Sequence, residues 1–202
     1  MHDYPPLHPG LADFPEIRWL AGLYVDKTPF LRRLLATSPG QPGTHTPPAL
    51  RSTHQFLARP RRFGKSLLIS TLEAWFQGLS PERSAQLPQG GQDTLDTPDG
   101  WTSPAWLWDG LDAETWHGVH GWHPVIRLNM SRVAAATPAG TAAALQDYLW
   151  ETLGEWHRRG LAWNAGAPGT PTSASSPEGM LVHLIRDLTN TYGARPVVLV
   201  DE

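Results

Sequence analysis

Gly64-Lys65-Ser66 constrains this chain more than any other segment. It closes a basic turn, RPRRF at 59–63, and opens the run LLISTLEAWFQG at 67–78. Leu68, Leu72, Trp75 and Phe76 recur at i, i+4, i+7 and i+8, which predicts an amphipathic helix with Gly78 as its stop. The short apolar run HQFLA at 54–58 predicts a strand before the turn. Strand, basic turn and helix in this order make a phosphate site. A glycine lets the backbone come close to an anion, and the first N–H groups of the helix point at it. Lys65 would reach the β- and γ-phosphates of a nucleotide, and the Ser66 hydroxyl would ligate Mg²⁺. Arg59, Arg61, Arg62 and Lys65 crowd one helix entry, where cations oppose the helix dipole unless an anion is present. One departure stands out. The full phosphate-loop pattern has a glycine where this chain has Arg59, and Pro60 then stiffens the turn.

The composition removes several other functions. The 202 residues include no cysteine, which excludes disulfide scaffolds, thiolate zinc sites and thiol catalysis. The N-terminus, MHDYPPLHPG, lacks the apolar stretch of a secretory signal, and no apolar run approaches the roughly 18 residues of a membrane span. A cytoplasmic protein without membrane contact is the expectation. The formal net charge is −3, and no aromatic side chains interleave Arg59, Arg61 and Arg62. Both facts count against nucleic-acid binding by this arginine cluster, which stays as an alternative.

Further strands and helices can be read along the chain. Residues 1–13 are expected to form a flexible arm. In YVDKTPFLRRLLA, Thr28 is the expected N-cap and Pro29 the first helical residue, with Phe30, Leu31, Leu34 and Leu35 as the apolar stripe. Five of the ten tryptophans fall in 101–122, read as a long connection packing aromatics on a sheet edge, or else as a Trp-lined groove. PVIRLNM at 124–130 is a strand, and 141–159 a helix with Leu145, Leu149, Leu153 and Trp156 on one face. Ser176 caps a helix whose face is Leu181, Leu184, Ile185, Leu188 and Tyr192, and Gly193 ends it. PVVLVDE at 196–202 is a buried-type strand ending in two acids. Strands alternating with helices predict an α/β fold with a parallel sheet.

Asp201, at the end of a hydrophobic strand, fits the carboxylate on the Mg²⁺ side of a phosphate-loop enzyme, and Glu202 fits the base that polarises the attacking water. Three weaker signals accompany them. His117, His120 and His123 are spaced by three, but no carboxylate or cysteine completes a metal set within that glycine-containing segment, so loop or packing roles are expected. Asp26 and Lys27 either clamp near the nucleotide or form a structural turn. Arg127 is expected to be paired on one sheet face.

YVDKT at 24–28, FLARPRRFGKSLL at 56–68, LWDGL at 107–111, HPVIRLNMS at 123–131 and PVVLVDE at 196–202 follow one another in this order. Together they resemble the bacterial AAA-ATPase-like family, whose members often carry a PD-(D/E)XK nuclease-like domain at the C-terminus. In that family an arginine in place of the first glycine is the usual form. The resemblance implies an ASCE/AAA-like P-loop NTPase sheet flanked by helices, incomplete in this chain. Residues 1–202 would be the N-terminal portion of one ATPase domain, cut after its acidic strand. It implies ATP and Mg²⁺ as ligands, bound at Arg59, Pro60, Arg61, Arg62, Phe63, Gly64, Lys65, Ser66 and Leu67. Ser66 and Asp201 would lie on the metal, with Lys65 and Glu202 catalytic. Homo-oligomers, and nucleic acid through a further domain, are the partners it suggests. A nucleotide-dependent interaction module without hydrolysis is the non-enzymatic alternative.

Overall fold

The computed structural model describes residues 5–35, 54–58, 63–87, 93, 95–133, 135, 137–161 and 176–201. The chain divides into two compact units, Met1–Trp122 and His123–Glu202.

The first unit is helical. Its elements are α1 (Phe14–Trp19), α2 (Thr28–Leu34), α3 (Lys65–Gln77) and α4 (Pro81–Gln86), then 3-10 turns at Ala105–Leu107 and Asp112–Thr115. α3 takes the face its sequence predicts: Leu68, Leu72, Trp75 and Phe76 are all buried. Trp75 lies edge-on to Trp108, ring centroids 5.3 Å apart, and 4.3 Å from the Trp116 ring. The tryptophans therefore pack around this helix rather than on a sheet edge. α3 gives them a broad apolar face, and large rings contribute most where they are fully enclosed. Gly78 ends α3 with φ 72°, and a Cβ there would run into the Thr102 carbonyl. That close approach lets Leu79 and Thr102 exchange backbone hydrogen bonds of 2.6 and 3.1 Å.

α1, unforeseen in the sequence, is capped by Asp13, whose carboxylate accepts from the Glu16 N–H at 2.8 Å. It docks on α3 through Phe14, whose N–H donates to Ser70 Oγ at 2.9 Å. The Arg18 guanidinium donates to the carbonyls of Trp106, Leu107 and Asp109, and burial lowers its pKa.

Two expectations change here. Thr28 is not the N-cap of α2 but its first residue, with Lys27 before it. The cap chemistry comes from Asp26 Oδ1, which accepts from the Thr28 N–H at 2.8 Å and its hydroxyl at 2.7 Å. The aspartate two residues back offers a charged acceptor, so it displaces the hydroxyl from that role. Residues 54–58 form no strand, and Phe56 is 92% exposed. An apolar run of five gains strand structure only from a ladder partner, which the described residues do not supply to it.

The second unit contains the sheet. β1 (Val125–Asn129) is followed by a 3-10 turn, α5 (Pro138–Arg158), α6 (Pro177–Tyr192) and β2 (Val197–Asp201). β1 and β2 pair in parallel with Val125 opposite Val197 and Asn129 opposite Asp201. Both strands fall where the sequence predicts them. α5 begins at a Thr137 cap three residues earlier than expected and buries Leu149, Thr152, Leu153 and Trp156, with Leu145 only half-buried. α6 begins at the Ser176–Pro177 cap and ends at a left-handed Gly193, as read. Its buried face is Met180, His183, Leu184 and Leu188. That face is rotated toward Met180 and away from Leu181 and Ile185, which are half-buried. The His183 imidazole sits on it because Nε2 meets Asp187 Oδ2 at 2.7 Å and Nδ1 meets Arg186 at 2.6 Å.

Candidate functional site

The candidate site is the entry to α3. Gly64 is its N-cap, with φ 71° and ψ 33° in the left-handed region. Only glycine takes that geometry without strain. Lys65 and Ser66 are the first two residues of the helix, and among the described residues no side chain caps it. The first-turn N–H groups of a helix have no partner within the helix, so this terminus favours an anion. The Gly64 carbonyl accepts from the Leu68 N–H at 3.0 Å, which locks the turn to the helix. Leu67, half-buried, accepts from Thr71 Oγ1 at 2.8 Å through its carbonyl. Phe63 is 61% exposed on the approach to the glycine.

Lys27 joins this entry from another part of the chain. Its ammonium donates to the Phe63 carbonyl at 3.3 Å and lies 2.7 Å from the position a Gly64 Cβ would take. Asp26 does not share that role. Its Oδ1 is occupied by Thr28 and its Oδ2 accepts from the Asp112 N–H at 2.9 Å. The two readings of the Asp26-Lys27 pair thus separate. The aspartate builds the turn, and the lysine lies at the loop.

Asp201 belongs to the second unit. It ends β2, is 6% exposed, and its Oδ2 lies 3.8 Å from the Arg127 guanidinium on β1. Arg127 is paired, as expected. Tyr148 of α5 closes the same end of β1, its hydroxyl accepting from the Asn129 N–H at 2.9 Å and donating to the Arg127 carbonyl at 3.2 Å. Arg59, Pro60, Arg61, Arg62 and Glu202 lie outside the described residues.

His117 is stacked on Trp108 at 4.2 Å between centroids, and its Nε2 meets the Trp75 carbonyl at 3.3 Å. Burial holds its pKa down at about 4. His123 Nδ1 meets the Arg195 carbonyl at 2.9 Å. Among the described residues no group of three His, Cys, Asp or Glu side chains is placed to hold a metal. No helix among them is long and apolar enough to cross a membrane.

The Mg²⁺ ligands proposed from sequence are a hydroxyl at the second position of α3 and a carboxylate at the end of β2. Hard oxygen donors of this kind, few in number and completed by phosphate oxygens, suit Mg²⁺. A family model described as a predicted AAA-ATPase matches residues 8–202. A curated relative from Azotobacter chroococcum mcd 1, named "Uncharacterized protein in vnfD 5'region", is 31% identical over 182 residues. That alignment takes in 89% of this chain and 25% of the relative, so the chain spans a quarter of that protein's length. No solved structure matches.

Proposed function

This chain belongs to the predicted AAA-ATPase family, and from that premise we propose that it binds Mg-ATP at the entry to α3 and contributes to its hydrolysis. The observation that carries the reading is the left-handed Gly64, which starts α3 on Lys65 and Ser66 with no side-chain cap among the described residues. A phosphate there would accept from the first-turn N–H groups, and Lys65 would neutralise the β- and γ-oxygens. Residues 59–62 would add guanidinium charge on the loop's approach. The Ser66 hydroxyl and the Asp201 carboxylate would hold the metal, whose positive charge offsets the charge developing on the transferred phosphoryl group. Glu202 would accept a hydrogen bond from the attacking water and aim it at the γ-phosphorus. In this reading the two parallel strands of the second unit belong to a P-loop sheet of the AAA-like branch.

Catalysis of this kind is positioning plus fixed charge, so single residues carry large effects. Lys65→Ala should weaken Mg-ATP binding by more than roughly tenfold, the loss of one charge-assisted hydrogen bond. Titration calorimetry on the chain measures it. Glu202→Gln should keep binding and lose turnover. Unchanged Mg-ATP affinity in Lys65→Ala would overturn the site. Unchanged turnover in Glu202→Gln would overturn the assignment of the base.

A further inference from the structure

We propose that Lys27 is a second phosphate-binding lysine of this loop, swinging from the Phe63 carbonyl onto the polyphosphate when nucleotide arrives. The inference rests on the reading that the α3 entry binds Mg-ATP.

Three observations carry it. The first is position. The Lys27 ammonium lies beside Gly64, so close that any Cβ at that residue would displace it. The glycine therefore does two things: it takes the left-handed φ and leaves room for a cation on the loop's backbone. The second is the mismatch of partners. An ammonium carries three donors and a full charge. Among the described residues it has one neutral acceptor at 3.3 Å, in an exposed position. Among the described residues no carboxylate pairs with it, because both oxygens of neighbouring Asp26 are engaged elsewhere. A bond of that length in water adds little stability, whereas the same ammonium on a phosphate oxygen makes a short charge-assisted bond. The third is rigidity of the base. The Lys27 carbonyl accepts from the N–H groups of Phe30 and Leu31. Thr28 is fully buried, its hydroxyl accepting from the Ala113 N–H at 3.0 Å. The backbone is held and the four-carbon stem is the moving part. Such a lysine loses little backbone entropy on engaging a ligand.

The two ammonium groups divide the work. Lys65 leaves from the helix itself, while Lys27 reaches the loop from the side on an element 36 positions away from Phe63. A nucleotide would thereby tie α2 to the entry of α3.

The test measures affinity for Mg-ATP, ADP and AMP in the full chain and in Lys27→Gln, Lys27→Arg and Lys65→Ala, alongside thermal melts. Lys27→Gln should lose roughly tenfold to hundredfold in Mg-ATP affinity. It should lose less for ADP and little for AMP, with an unchanged melting temperature, and Lys27→Arg should recover part of the loss. An equal loss for all three nucleotides would overturn the proposal, as would a loss that follows a fall in melting temperature. Lys27→Met, which keeps the aliphatic stem, is the second variant; unfolding of both Lys27→Gln and Lys27→Met would make the lysine a structural strap and overturn it too. Intact affinity in Lys27→Gln with lost affinity in Lys65→Ala would remove Lys27 and leave the site standing. No Mg-ATP binding by the unmodified chain, or full binding by Lys65→Ala, would remove both.

Discussion

Gly64 is where one residue's geometry governs the most chemistry. Its φ of 71° costs an L-residue roughly 1–2 kcal/mol, and the Lys27 ammonium occupies the space of a side chain. Gly64→Ala should therefore lower stability by about that much and weaken Mg-ATP binding together, read by urea unfolding and calorimetry. A second residue-scale expectation concerns acid. His117 titrates at about 4 when folded, against an ordinary 6.5, because burial disfavours its charged form. The unfolded chain thus binds a proton first. Stability should fall as pH drops from about 6.5 to about 4, by up to roughly 3 kcal/mol, and level off below. His117→Phe, which keeps a ring against Trp108, should flatten that slope in melts run across pH. Gly64, Gly78, Ser176 and Gly193 were legible in the sequence because turns and caps are decided within a few residues. Lys27 was legible only as one of two alternatives. Its contact with Phe63 spans 36 positions, and no local pattern encodes it.

At the scale of elements, periodicity located the long helices and the two paired strands but not every face or boundary. The four residues of the α3 stripe are all buried, but so are Ser70, Thr71, Ala74 and Gln77, because α1 and the tryptophan-rich connection cover more of the helix than one face. The α6 face was turned because a paired histidine, His183, was buried among apolar residues, and polarity alone argues against that. α1 escaped notice since six residues hold less than two turns, too few for a period to repeat. The strand expected at 54–58 failed for a related reason: apolar content marks a candidate, and only a neighbouring strand makes it one. The tryptophan-rich connection shows how much energy sits on α3. Trp75→Ala should cost about 3–5 kcal/mol, as truncation of a fully buried aromatic does. Ser176→Ala should cost about 1 kcal/mol by removing the hydroxyl that accepts from the Gly179 N–H. Chemical denaturation separates these two magnitudes easily.

For the whole molecule, each unit has its own interior, one built on Trp75, Trp108 and Phe14, the other on Trp156, Leu184 and Leu188. Trp75→Ala and Trp156→Ala should each lower the melting temperature, since each truncates a fully buried aromatic in the interior of its own unit; scanning calorimetry measures both. Of the residues singled out in the sequence, the structure shows Gly64, Lys65 and Ser66 at the start of α3 and Asp201 at the end of β2. The pairing of Val125 with Val197 also has a kinetic consequence. A parallel partner cannot arrive through a tight hairpin, so β1 must wait for α5 and α6 to be made and folded back before its ladder forms. Closing so long a loop is entropically slow, and an apolar strand left single in the meantime is a template for the wrong chain. The β1–β2 ladder should therefore be the late and aggregation-sensitive step in folding the second unit.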